Sequence, residues 1–216
     1  MRIIAFGDIH MNTGAFESIE NIRSADYIVI TGDLTNFGSR KDAEKMIQQV
    51  QAANRNILAV AGNLDQPEVA GYLEETGISL HGRGELIANL GLVGLGGSNY
   101  TPFNTPFEFS EQELSGLLTE GLAQVEKTAE HILVSHTPPF HTKVDRLLNG
   151  NHVGSTAVRS YIEKHQPRLC LTGHIHEARG EDYIGRTHIL NPGMVKDGGY
   201  IEVLIEKGKI SASLHS

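Results

Sequence analysis

Residues 1–10, Met1-Arg2-Ile3-Ile4-Ala5-Phe6-Gly7-Asp8-Ile9-His10, run from an apolar stretch into a carboxylate and an imidazole two positions apart. The passage recurs along the chain. Residues 25–30 lead into Thr31-Gly32-Asp33, residues 56–60 into Gly62-Asn63-Leu64-Asp65, residues 131–134 into Ser135-His136, and residues 169–171 into Thr172-Gly173-His174-Ile175-His176. Short apolar runs bounded by glycine read as buried strands. Strands that share a direction place their carboxyl ends, and the loops leaving them, along one edge. That edge is expected to gather Asp8, His10, Asp33, Asn63, His136, His174 and His176, residue types that bind divalent metals.

Between these runs the first half of the chain reads as strand, loop and helix. Thr13 is placed to cap a helix with Phe16, Ile19 and Ile22 on one face. Residues 40–53 set Ala43, Met46, Ile47 and Val50 at i, i+3, i+4 and i+7, one apolar stripe. Pro67 suits the first turn of a third helix, with Gly77 past its end. Helices of this length imply crossovers and therefore parallel pairing.

The middle differs. Residues 78–80, 84–89 and 91–95 are short strand candidates that read as an antiparallel patch. Gly94-Leu95-Gly96-Gly97 is no dinucleotide loop, because prolines follow where a helix should start. Residues 98–109 form a long loop whose Tyr100, Phe103, Phe107 and Phe109 either overhang a site or pin the loop to the body. A helix over 110–127, the strand ending at His136 and a polar loop over 137–154 come next. Ser155 or Thr156 then caps a helix closed by Pro167, and residues 187–190, 199–205 and 209–214 read as final strands. An α/β protein of two packed sheets with helices outside accounts for both halves. With 216 residues and no break in composition, a single domain spanning 1–216 is expected.

Composition narrows the partners. A net charge of −8, with Arg40-Lys41 the nearest thing to a basic cluster, speaks against long nucleic acid. No apolar run approaches the ~20 residues that cross a bilayer, so no membrane partner is expected. The first strand begins at Met1, without a leader, and the single Cys170 lies between two leucines in a buried strand. Both features point to a cytoplasmic address.

Asp8 and His10 share a face of an extended segment, as do His174 and His176, so each pair can approach one ion from one side. Asp33 has two oxygens with which to bridge two cations, Asn63 offers a neutral amide oxygen, and His136 another imidazole. Oxygen and nitrogen ligands without thiolate suit Mn, Fe, Zn, Co or Ni, and manganese is the expected metal.

These residues resemble the calcineurin-like metallophosphoesterases. That family's Asp-x-His, Gly-Asp, Gly-Asn-His-Asp/Glu, His and Gly-His-x-His series is matched in order at Asp8/His10, Asp33, Asn63, His136 and His174/His176. Residues 173–180, Asn191-Pro192-Gly193 and His152-Val153-Gly154-Ser155 resemble its small prokaryotic, phosphodiesterase-like branch. The resemblance implies a four-layer α-β-β-α sandwich of two mixed sheets. It assigns Asp8, His10, Asp33 and His176 to one metal and Asp33, Asn63, His136 and His174 to the other. It also implies hydrolysis of a small phosphate ester by a water acidified between two ions.

One position departs from the family pattern. Leu64 stands where the family has a His thought to stabilise the transition state or protonate the leaving oxygen. Relatives without that His lean towards phosphodiesters, and so does the expectation for this chain. His152 is a substitute acid or, alternatively, a loop histidine, and Arg179 either reaches a substrate phosphate or pairs with a carboxylate. His81, His131, His141, His165, His188 and His215 read as packing or surface residues. A binding scaffold of the same fold, as the resembling retromer subunit is, and a nuclease are the alternatives to a phosphodiesterase. A homo-oligomer is compatible with either reading.

Overall fold

The computed structural model describes residues 1–216 except 13, 15, 17, 18 and 129. Its first sheet is ordered β13-β12-β1-β2-β3, with β1 Arg2–Phe6, β2 Tyr27–Ile30, β3 Ile57–Ala59, β12 Tyr200–Glu206 and β13 Lys209–His215. Strands β1, β2 and β3 run parallel, while β12 pairs antiparallel to β1 and β13 antiparallel to β12. The second sheet is ordered β10-β11-β9-β8-β5-β4, built from β4 Arg83–Ile87, β5 Leu90–Leu95, β8 His131–Ser135, β9 Leu169–Leu171, β10 Gly180–Ile184 and β11 Thr187–Asn191. Its four inner strands β5, β8, β9 and β11 are parallel and its two edges are antiparallel, while β6 Ser98–Asn99 and β7 Glu108–Phe109 form a separate parallel pair. Helices α1 Arg40–Ala53 and α2 Pro67–Glu75 lie on the first sheet, α3 Glu111–Val125 and α4 Thr156–His165 on the second.

Alternation along each strand builds three apolar layers. Ile4 and Phe6 face α1 and α2 with Ala43, Met46, Ile47 and Val50. Ile3 and Ala5 face the other way, into the seam between the sheets, where Val29, Leu92, Ile132, Val134, Leu169 and Leu171 meet them. Leu133 and Cys170 point out of that seam toward Leu114, Leu118, Val158 and Ile162 of α3 and α4. Each fully buried aliphatic chain contributes roughly 1.5–3 kcal/mol. Burial also pushes the Cys170 thiol up and leaves it unreactive. The helix starts are set by short-range chemistry: Ser39 N–H donates to Asp42 at α1, Ser110 and Glu113 cap α3 reciprocally, and Ser155 Oγ caps α4. No helix of the described residues is long and apolar enough to cross a membrane.

Three expectations change. The helix expected to carry Phe16, Ile19 and Ile22 is not α-helical where it is described: residues 19–24 are bends and turns closed by bonds such as Ile22 N–H to Ile19 O. All three side chains are nonetheless buried, so the spacing reported burial without helix, and Thr13 lies outside the described residues. Residues 78–80 do not form a strand; Ser79 makes an isolated bridge to Ala59, and His81, just past the segment, makes another to Gly94. The antiparallel patch is a hairpin of β4 and β5, yet β5 pairs parallel to β8 and so joins the second sheet. In the loop after β5 the aromatics divide. Phe107 and Phe109 pack on His81, whereas Tyr100 and Phe103 are 68% and 81% exposed.

Candidate metal centre

The parallel strands of both sheets end on the same edge, and hydrogen bonds between their loops join the sheets there. Asp8, after β1, donates its N–H to Gly32 O, while Ile9 and His10 both donate to Asp33 O. From the second sheet, His136 Nδ1 lies 2.8 Å from Thr31 O, and His174 N–H reaches both Asp8 carboxylate oxygens at 3.2 Å. Asp8, His10, Asp33 and His174 all have positive φ, between 47° and 70°. Left-handed non-glycine residues cost of order 1 kcal/mol or more each and cluster where geometry serves a site.

Glycines beside the functional residues leave the room this needs. A Cβ on Gly62 would collide with the Asp33 carboxylate, and one on Gly173 with Asp8 Oδ2. The Gly-Asn and Gly-His pairs of the sequence therefore reflect the close approach of one loop's backbone to another loop's carboxylate, while in the Gly-Asp pairs Gly32 makes room for the His136 ring and Gly7 for Thr31.

Two groups of side chains result. Asp8, His10, Asp33 and His176 each offer a ligand atom, all within 4.8 Å of one another. His10 Nε2 is 3.0 Å from His176 Nε2, and 3.9 Å from both Asp8 Oδ1 and Asp33 Oδ2. In the second group Asn63 Oδ1 lies 3.0 Å from His136 Nε2 and 2.8 Å from His174 Nδ1, and Asp33 Oδ1 is 3.5 Å from His136 Nε2. Asp33 thus faces both groups with different oxygens.

The donor chemistry fits cations. Thr31 O can only accept, so the proton of neutral His136 sits on Nδ1, and Nε2 presents a lone pair toward the Asn63 and Asp33 oxygens. Acceptors facing acceptors need a cation between them. Burial takes His174 down to about 3 and His10 to about 4, and it lowers His136 as well, so these rings are neutral at pH 7 and able to offer a lone pair to a cation. Burial also drives Asp33 well above the usual carboxylate range, with the charges of Asp65 and Asp8 adding to it. For Asp8, burial is outweighed by the His176 hydrogen bond and by neighbouring imidazoles, and its pKa falls. Burial opposes protonation of His176, but the Asp8 hydrogen bond and charge prevail and raise it.

Supporting residues were not legible as such. Asp65 is fully buried and accepts from Leu34 N, Thr35 N, Thr35 Oγ1 and Gly62 N, so one carboxylate fixes the loops that carry Asp33 and Asn63. Asn63 Nδ2 donates to Thr105 Oγ1 at 2.9 Å, and Thr105 Oγ1 donates to Glu108 Oε1, which decides which end of the amide faces His136. Asn191 Nδ2 donates to Ile175 O and holds the turn between His174 and His176. Asp65 had a sequence signal in its place two residues after Asn63, and Asn191 in the Asn191-Pro192-Gly193 segment, whereas Thr105 and Glu108 had none.

The structure places the two other candidates outside these groups. Arg179 Nε and Nη2 donate to Pro192 O and His215 O, two backbone carbonyls, rather than to a carboxylate. His152 Nδ1 is 2.7 Å from Asp145 Oδ1, and its ring lies against Phe140 and His141.

Comparison with known proteins agrees with this geometry. The calcineurin-like phosphoesterase family matches residues 1–178. An uncharacterized protein of Methanocaldococcus jannaschii is 36% identical over 198 residues, 89% of this chain and 88% of its own length. A dimetal phosphatase from Danio rerio superposes with a TM-score of 0.67 at 13% identity, covering 100% of this chain and 96% of that one. An archaeal phosphodiesterase gives 0.55 at 16% identity, with 99% of each chain covered. At such identities the last two share the fold.

Proposed function

This chain belongs to the calcineurin-like phosphoesterase family, and on that premise we propose that it hydrolyses small phosphate esters with two divalent cations, phosphodiesters ahead of monoesters. The observation that carries the reading is the convergence, from loops of both sheets, of carboxylate, amide and imidazole ligand atoms, with the His136 Nε2 lone pair turned toward the Asn63 and Asp33 oxygens. Asp8, His10, Asp33 and His176 would hold one ion, and Asp33, Asn63, His136 and His174 the other. When bound, the ions supply an acidified water and neutralise charge on the phosphoryl oxygens.

The chain's own residues do the rest. Asp33 divides its two oxygens between the groups, Asp65 keeps its loop in place, and the Leu64 N–H donates to Asp33 Oδ1 at 2.9 Å. The Leu64 side chain brings neither a proton for a leaving oxygen nor a hydrogen bond for a dianionic monoester. A diester, with one charge fewer, has less need of that contact. His152, engaged with Asp145, is read as a loop-holding residue. Manganese is the proposed metal, since oxygen and nitrogen donors without sulfur accommodate it. A cytoplasmic setting is proposed because Cys170 is the single, buried thiol.

The test is hydrolysis of bis(p-nitrophenyl) phosphate with Mn²⁺, run beside Asp33→Asn. Wild type is expected to turn over, and the variant to lose metal and about 10³-fold of its rate, the equivalent of several kcal/mol of charge stabilisation. Full activity with two equivalents of metal in Asp33→Asn would refute the bridging role. Two bound metals without turnover in wild type would favour a scaffold.

A further inference from the structure

Outside the metal centre, a cleft of about 430 Å³ opens between residues 143–150 and the turn that follows His176. Lys143, Arg146, Leu148, Glu177 and Arg179 are among its walls, and Glu177 is the residue next to His176. Three cations therefore face one carboxylate, in a chain whose net charge is −8. Among the described residues neither Lys143 nor Arg146 has an acidic partner within ion-pair distance, although other arginines of the chain do. Arg179 gives its hydrogen bonds to two neutral carbonyls, so its charge is also uncompensated.

The wall is built rather than loose. Asp145, fully buried, accepts from His141 N, Thr142 N, Thr142 Oγ1, Gly154 N and His152 Nδ1. Lys143 N–H donates to Asp182 of β10, Arg146 bridges antiparallel to His152, and the tip closes through Leu147 N–H to Asn151 O. The hairpin so formed holds Lys143 and Arg146 on either side of an anchored carboxylate. Leu148 stands 90% exposed at its tip. An unpaired guanidinium beside an ammonium matches a phosphate, which accepts from both, and the apolar tip suits the carbon frame that carries it.

We propose that this cleft binds a second phosphate of the substrate, so that the preferred ester is a small phosphodiester carrying a further phosphate group. The inference rests on the phosphoesterase reading and adds a substrate class to it. The test compares the p-nitrophenyl ester of thymidine 5′-phosphate with the same ester bearing a 3′-phosphate, since p-nitrophenolate reports cleavage of the diester alone. The 3′-phosphate is expected to lower KM about tenfold in wild type, the scale of one charge-assisted hydrogen-bonded contact. In K143A/R146A that advantage should shrink to within about twofold of unity, and Arg146→Glu should turn it into a penalty. Both residues are exposed, so the variants are expected to fold.

Equal KM values for the two esters in wild type overturn the subsite and leave the hydrolase standing. If neither ester is hydrolysed the phosphoesterase reading fails. The cleft is then judged by calorimetry with thymidine 3′,5′-bisphosphate, where weaker binding to K143A/R146A supports it and equal binding overturns it. Inorganic phosphate provides the free-anion arm. If it binds wild type as tightly as the bisphosphate and loses as much in the variant, the cleft takes a lone anion and the substrate reading is overturned.

Discussion

Leu64 follows Asn63 directly, and its backbone N–H is committed to Asp33 Oδ1, so whatever side chain stands there is rooted at the edge of the second ligand group. Leu64→His is therefore expected to increase turnover of alkyl monoesters relative to activated diesters, because an imidazole can donate to a departing alkoxide or to a dianionic phosphate. An unchanged ratio would remove this position from the account of specificity. Thr105 acts through Asn63. Its hydroxyl accepts the Asn63 Nδ2–H and donates a hydrogen bond to Glu108, whose carboxylate is held low against burial by hydrogen bonds from Thr101 and Thr105. Thr105→Val keeps the shape and removes this orientation. It should weaken one of two metal equivalents by about 10–100-fold in calorimetric titration, and equal affinity for both would show that the amide is held otherwise. The proposed ligands were legible because each ends an apolar run. Thr105 was not, because a threonine 42 residues from Asn63 in a proline-bearing loop carries no local signature.

Elements succeed here where short-range chemistry and long-range packing agree. The stripe of Ala43, Met46, Ile47 and Val50 predicts α1, and all four are buried in it. The spacing of Phe16, Ile19 and Ile22 predicts a helix as well, but three apolar residues are equally well buried by successive turns, so the pattern reports the buried face alone. β10 was not anticipated: Gly180–Ile184 is an edge strand with alternating exposed residues, and its pairing with β11 supplies the order that its composition does not. Loop 139–155 depends on one carboxylate. Asp145→Ala leaves His141 N–H, Thr142 N–H and Gly154 N–H without their acceptor, at about 1–3 kcal/mol for each group that stays dry. Limited trypsin digestion should then cut at Arg146 much faster than in wild type. Equal protection would show that the hairpin is held by its backbone bonds alone.

At the scale of the whole molecule, stability should respond to both metal and acid. Cations that bind the folded chain alone stabilise it by about 2.7 kcal/mol at a hundred times Kd, so Mn²⁺ should raise the Tm of EDTA-treated protein by roughly 5–10 °C. A Tm indifferent to Mn²⁺ would contradict the dinuclear site. Burial also holds His81 and His131, both outside the ligand groups, at about 4. An unfolded histidine titrates near 6.5, so between those values the unfolded chain binds more protons, and stability falls as the pH drops from about 6.5 toward 4. His81 accepts the Gly96 N–H through Nδ1, a bond the protonated ring cannot make. His81→Gln keeps an acceptor and removes the titration. The metal-free variant should lose Tm less steeply than wild type across that window, and parallel curves would exclude His81 from the acid response.

The amino-acid sequence by itself determined the α/β class and the residues that gather at one edge, since apolar period and strand-end chemistry are both local. Its resemblance to the family also marked Leu64 as a departure from that family's His. Only the tertiary structure decided which strand ends belong to which of the two sheets, that Asp33 divides its oxygens between two groups, and that Thr105, Asp65 and Asp145 hold the loops. The reason is physical. Which backbone amides a buried carboxylate satisfies, and which cations are left without partners, depend on contacts between segments far apart in the chain, and no local pattern encodes them.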